Sequence, residues 1–223
     1  MATLGMVHTV HRVIPSLASL GQELLPGARQ LHFLDESVLQ DAIAQNGLSP
    51  DIYRRVCGVV LLAAERSDVV LVTCSSIGPC AATSAQMTEV PVLRIDEPMA
   101  RDAVALGERV SVVATLGSTL GPTAELVERS ARRADRVVEV RRVLCEGAFE
   151  AASEGRQQEH DAIVLAALEG LATGGVDVIV LAQASMARVA EFLPQPAAVP
   201  ILSSPSSGLR WAGEVLRQQV KER

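Results

Sequence analysis

Apolar runs of four to seven residues, rich in Val, Ile and Leu, alternate along this chain with longer Ala, Leu, Glu and Arg stretches of helical spacing. Short apolar runs suit strands buried on both faces, and the longer stretches suit amphipathic helices laid over them. The alternation therefore predicts a parallel α/β fold. Strands are expected to end near Gly5, Asp35, Cys74, Ile95, Thr115, Val143, Leu181 and Leu202, with helices around 51–66, 98–107, 121–134, 157–173 and 207–220.

The pattern repeats. Asp68-Val69-Val70-Leu71-Val72-Thr73-Cys74-Ser75-Ser76 is echoed by Asp177-Val178-Ile179-Val180-Leu181-Ala182-Gln183-Ala184-Ser185, displaced by 109 positions (68 to 177). Val90-Pro91-Val92-Leu93 returns as Val199-Pro200-Ile201-Leu202 at the same displacement, and Ala2-Thr3-Leu4-Gly5 returns as Ala114-Thr115-Leu116-Gly117 at 112. Three matches in one order imply two copies of one α/β unit, although buried parallel strands share a common composition. The expected architecture is two pseudo-symmetric lobes, each a mostly parallel sheet flanked by helices: residues 1–97 plus 206–223, and 98–205. Open α/β sheets bind ligands beyond their strand ends, so the active site is expected in the cleft between the lobes, with Cys74 facing Gln183.

Composition narrows the function. The net charge of −6 and an aromatic content of 2% argue against a nucleic-acid partner, which needs phosphate-neutralising charge and stacking rings. No run approaches the roughly 20 apolar residues that a bilayer requires, and the first 30 residues do not form a signal-peptide core, so no membrane partner and a cytoplasmic location are expected. Lys221 is the only lysine. A pyridoxal-phosphate enzyme needs a Schiff-base lysine and a P-loop needs Gly-Lys-Ser/Thr, so neither chemistry is expected here.

Candidate chemistry gathers at strand ends. Cys74 follows the apolar strand Val69-Val70-Leu71-Val72-Thr73 and precedes Ser75-Ser76, Ile77 and Gly78, which read as a turn into a helix. A helix N-terminus favours thiolates and binds carboxylates, whereas the alternative is a small buried thiol. Cys57, Cys80 and Cys145 read as packing residues, too scattered for a disulfide framework or a zinc site. Thr115, Gly117, Ser118 and Thr119 end another strand and could grip an anion, or simply cap a helix. His8-Thr9 and Asp35-Glu36 follow strand ends in the first lobe, where they could hydrogen-bond a substrate or relay a proton.

Val72-Thr73-Cys74-Ser75-Ser76 after an apolar strand, followed by Ala114-Thr115-Leu116-Gly117-Ser118-Thr119, resembles the aspartate/glutamate/hydantoin racemase superfamily over essentially the whole chain. The resemblance implies two α/β lobes, no cofactor, a tendency to dimerise, and two cysteines flanking the substrate α-carbon. Cys74 matches the first cysteine. The second would stand after the strand that ends at Ala182, where this chain reads Gln183-Ala184-Ser185. A primary amide has no titratable proton near neutral pH, so Gln183 can orient a substrate but cannot deprotonate it.

The expected function is thus a cofactor-independent racemase or isomerase moving a proton at the α-carbon of a small carboxylic acid. Cys74 is the expected acid/base, with Ser75, Ser76, Thr115, Ser118, Thr119, Gln183, Ala184, Ser185, His8 and Asp35 around the substrate. The alternatives are a one-thiol decarboxylase or lyase of the same fold and a non-catalytic carboxylate-binding protein. Arylmalonate decarboxylases, which the superfamily includes, resemble it in keeping the second-lobe cysteine, the reverse of this chain.

Overall fold

In the computed structural model, which describes residues 1–193 and 199–221, the chain opens with β1 (Thr3–His8), α1 (Ile14–Leu24), β2 (Arg29–Leu34), α2 (Glu36–Ala44), α3 (Pro50–Ala64), β3 (Val69–Val72), α4 (Pro79–Ser84) and β4 (Val92–Arg94). It continues with α5 (Glu97–Leu106), β5 (Arg109–Ala114), α6 (Gly117–Arg133), β6 (Glu139–Leu144), α7 (Ala148–Ser153), α8 (Gln157–Ala172), β7 (Val178–Leu181), β8 (Ile201–Ser203) and α9 (Ser204–Lys221). Two units result: Met1–Pro98 with Pro205–Arg223, and Met99–Ser204. Among the described residues no helix is long and apolar enough to cross a membrane.

Each unit holds a four-stranded parallel sheet, ordered β2-β1-β3-β4 in the first and β6-β5-β7-β8 in the second. The identical order is the duplication seen in the sequence. In both sheets the strand order reverses beside the central pair, β1 and β3 or β5 and β7. The carboxyl ends of such a pair are where open α/β sheets leave room for ligands.

The central strands β3 and β7 are apolar throughout, and β1 and β5 largely so, because helices cover both faces of each sheet. In the first unit Val7, Val70 and Val72 pack toward Val38, Ile52, Val56, Val60 and Ala81 of α2, α3 and α4. Their neighbours Leu4, Met6, Val69 and Leu71 pack toward Leu17 of α1 and Leu209, Ala212 and Leu216 of α9. The second unit repeats the arrangement. Val110, Val112, Val178 and Val180 meet α5 and α6, whereas Val113, Ile179 and Leu181 meet α7 and α8. Successive residues thus serve opposite cores, as the twofold period of a strand requires. Helix α9 comes so close to β4 that a Cβ at Gly208 would lie 2.4 Å from the Ile95 carbonyl oxygen, which explains the glycine there.

The repeated aspartate also has a physical role. Asp68 Oδ2 accepts from the Thr3 amide at 2.8 Å, and Asp177 Oδ2 accepts from the Arg109 amide at 2.9 Å. In each unit the side chain before one central strand satisfies the first amide of the other, fixing their stagger.

Two sequence expectations need correction. The first strand does not end near Gly5 but runs to His8. The Ala-Thr-Leu-Gly echo is coincidental, since Thr3 opens β1 whereas Ala114 closes β5. The true counterpart of Thr3 is Arg109, which begins β5 and receives the equivalent aspartate bond.

Candidate active site

At the end of β3, Cys74 remains extended (φ −114°, ψ 120°) and precedes a single 3-10 turn, Ser75–Ile77. Its side chain is half-buried, whereas Cys57, Cys80 and Cys145 are buried. Burial pushes the Cys80 thiol up to about 12, with the Cys57 charge adding to it. Ser75 and Ser76 are buried beside Cys74. The expected helix start is corrected: after the 3-10 turn, Gly78 and Pro79 lead only into α4, six residues long. So short an element carries little of the macrodipole that a full helix would aim at the sulfur.

A charged pair that the sequence reading did not single out lies next to this turn. Arg94 closes β4 opposite Val72 of β3. Its Nε donates to Asp96 Oδ1 at 2.9 Å and its Nη2 to Asp96 Oδ2 at 2.8 Å, with the two side chains only 4% and 1% exposed. The guanidinium abuts Gly78, where an added Cβ would fall 2.5 Å from Cζ. The available signal was a charged Arg-x-Asp at the end of an apolar strand.

His8 ends β1 fully buried. Its Nδ1 lies 2.8 Å from Thr73 Oγ1 and its Nε2 lies 2.9 Å from Nδ1 of His32, which stacks on it at 5.1 Å between ring centroids. Thr73 Oγ1 also donates to the Val7 carbonyl at 2.9 Å. With the hydroxyl proton so directed, His8 donates from Nδ1 and accepts at Nε2 from His32, which defines both neutral tautomers. Burial, and then the neighbouring His32, pull the His8 pKa down to about 4. Both ring nitrogens are therefore used inside the unit, and His8 presents neither of them to a substrate.

Asp35 is similarly engaged. It caps α2 by accepting from the Ser37 amide at 3.1 Å and pairs with Arg55 at 3.2 Å. Burial acts to raise its pKa, but Ser37 and Arg55 outweigh it and hold the carboxyl below its usual range. Asp35, His8 and Thr9 share a small cavity with Val7, Val38, Val56, Val59 and Ile77. The Thr9 hydroxyl there is buried and makes no protein hydrogen bond among the described residues.

In the second unit, the positions after β5 and β7 grip one another. Gln183 Oε1 accepts from the Thr115 amide at 2.6 Å and from its hydroxyl at 3.0 Å, while Gln183 Nε2 lies 2.9 Å from Thr115 Oγ1. Ala184 is half-buried and Ser185 exposed, at the start of the 3-10 segment Ala184–Phe192. Ser118 and Thr119 lie in the first turn of α6, which begins at Gly117 rather than near 121 and contains Pro122. The Ser118 hydroxyl is buried and makes no protein hydrogen bond among the described residues. Ser118 thus places a buried hydroxyl, without a partner among the described residues, in the first turn of a 17-residue helix.

Thus the first unit gathers Cys74, Ser75 and Ser76 beside Arg94, and the second gathers Thr115, Gln183, Ser118 and Thr119. The profile of the Asp/Glu/hydantoin racemases matches residues 2–212. The chain belongs to that family. Solved structures with the same fold include glutamate racemase from Bacillus anthracis, 16% identical, covering 98% of this chain and 82% of that one with a TM-score of 0.74. Allantoin racemase from Klebsiella pneumoniae is 17% identical, covering 98% and 89%, with a TM-score of 0.67. Arylmalonate decarboxylase is 16% identical, covering 96% and 92%, with a TM-score of 0.59. At such identities the likeness is one of fold. No curated protein sequence matches significantly. This family member therefore shares its two-unit α/β fold with both racemases and a decarboxylase.

Proposed function

We propose that the protein is a racemase- or isomerase-type enzyme that moves a proton at the α-carbon of a small carboxylic acid, using Cys74 as its single acid/base. The observation that carries the reading is the contrast between equivalent strand ends: a half-buried thiol after β3, and after β7 a carboxamide tied to Thr115. The Cys74 thiolate takes the α-proton, forming S–H as Cα–H breaks, and the electron pair passes into the carboxylate as an enediolate. Return of that proton to the same face restores the thiolate and the starting acid, so inversion requires the enediolate to take a proton from water on its other face while the sulfur proton passes to solvent. Ser75 and Ser76, buried beside Cys74, are the groups proposed to hold the substrate carboxylate.

The amide at Gln183 also favours a second reading. In a one-thiol decarboxylation the bond from Cα to a carboxylate breaks, carbon dioxide leaves, and Cys74 protonates the enediolate. No base on the opposite face is needed. Release of carbon dioxide from a malonate-type acid separates this reading from proton exchange.

The variant Cys74→Ser tests both. It is expected to lower turnover by about 10²–10⁴-fold, the usual worth of a positioned acid/base. Carboxylate binding, followed by calorimetry, should persist because hydroxyl and amide groups hold the anion. Unchanged turnover in Cys74→Ser would contradict the assignment.

A further inference from the structure

We propose that β6, the outer strand of the second sheet, is an interface with a second copy of this chain: two β6 strands pair antiparallel about a twofold axis at Val140 and join two four-stranded sheets edge to edge. The inference is independent of the reaction assigned to Cys74.

Among the described residues β6 pairs on one side only, with β5, through every residue from Glu139 to Leu144. The amide of Glu139 donates to the Glu108 carbonyl at 2.7 Å, and that of Cys145 to the Ala114 carbonyl at 2.8 Å. Backbone groups alternate sides along a strand, so Val140, Arg142 and Leu144 turn their N–H and C=O away from β5. Such a row is a template for another strand, which natural edges blunt with short strands, proline or bulges. β6 has none of these, being six residues long, free of proline and in unbroken register with β5. The opposite outer strand, β8, has only three residues. At the matching place in the first sheet, β2 is half-buried at four of its six residues, whereas β6 is exposed at four of six.

The side chains select a second copy and fix its register. With the axis between the two Val140 residues, Glu139 stands across from the second copy's Arg141, and Val137 across from its Val143. Symmetry gives each pair twice. Glu139 and Arg141 are exposed, and neither side chain makes a hydrogen bond or ion pair among the described residues. Their neighbour Arg142 is already held by Glu128 at 2.7 Å. Val137, just ahead of the strand, is 91% exposed, and the pairing covers it. An axis moved to Glu139, Arg141 or Arg142 sets like charges directly opposite, which is destabilising, and one moved to Val138 leaves Glu139 across from Val137. The axis at Val140 alone matches the charges.

The test is sedimentation of the intact protein over a concentration series, where a species of twice the 23.6 kDa chain mass is expected. Arg141→Glu sets acid against acid at both charged pairs and should raise the dimer dissociation constant about tenfold or more. Glu139→Arg should do the same by setting base against base. Mixing these two variants restores opposite charges at both pairs, as does the double variant Glu139→Arg/Arg141→Glu, and each should recover the dimer. Both side chains are exposed, so the substitutions leave the fold intact. Hydrogen exchange places the interface: the Val140 and Arg142 amides should slow as protein concentration rises. A parent that stays monomeric overturns the proposal. So does a dimer indifferent to both reversals, one that leaves those two amides fast, or a double variant that associates no better than the single ones.

Discussion

At the residue scale, burial sorts the polar groups at the strand ends into those that hold the fold and those left for chemistry. His8 belongs to the first kind, since its ring is fully buried and bonded to Thr73 and His32. Its folded pKa, about 4, lies below the 6.5 of an unperturbed histidine. Between those values the unfolded chain binds the extra proton, so stability is complete above about pH 6.5 and falls as pH drops toward 4. The loss attributable to His8 is on the order of 3 kcal/mol. Urea titrations across that range should show it, and His8→Gln should flatten the slope; an unchanged slope would show that His8 is protonated as readily folded as unfolded. Cys74 was legible in the sequence because a thiol directly after an apolar strand is conspicuous. Arg94 was not, because an arginine reads as surface charge until Asp96 and Gly78 are seen around it.

At the element scale, the central strands and long helices follow from the apolar periods, and the misses have local causes. Helices α4 and α7 span six residues each, too short for a 3.6-residue period to register. Pro15 opens α1 and Pro122 lies inside α6, so in the sequence one hid a helix and the other moved a helix start inward. The bonds from Asp68 and Asp177 to the central strands could not be read from a pattern of β-branched residues. Asp68→Ala leaves the Thr3 amide without its acceptor and should cost about 1–2 kcal/mol. Asp68→Asn keeps a carbonyl oxygen in place and should cost less. Equal thermal midpoints for the parent and Asp68→Ala would show that the bond contributes nothing to the stagger.

At the scale of the whole molecule, two sheets of one strand order carry different side chains at matched positions. The echo from Asp68 to Asp177 made the duplication legible, and β3 and β7 bear it out. The fate of Gln183 was not legible: the sequence showed an amide at the repeat position equivalent to the thiol, and the structure ties it to Thr115. A molecule with one thiol and one engaged amide should exchange protons on a single face of its substrate. The most direct measurement is incubation of small α-substituted carboxylic acids in deuterium oxide, following deuterium uptake and chirality together. The account predicts uptake at Cα that outpaces inversion and is lost in Cys74→Ser. Inversion keeping pace with uptake, or uptake persisting in Cys74→Ser, would contradict it.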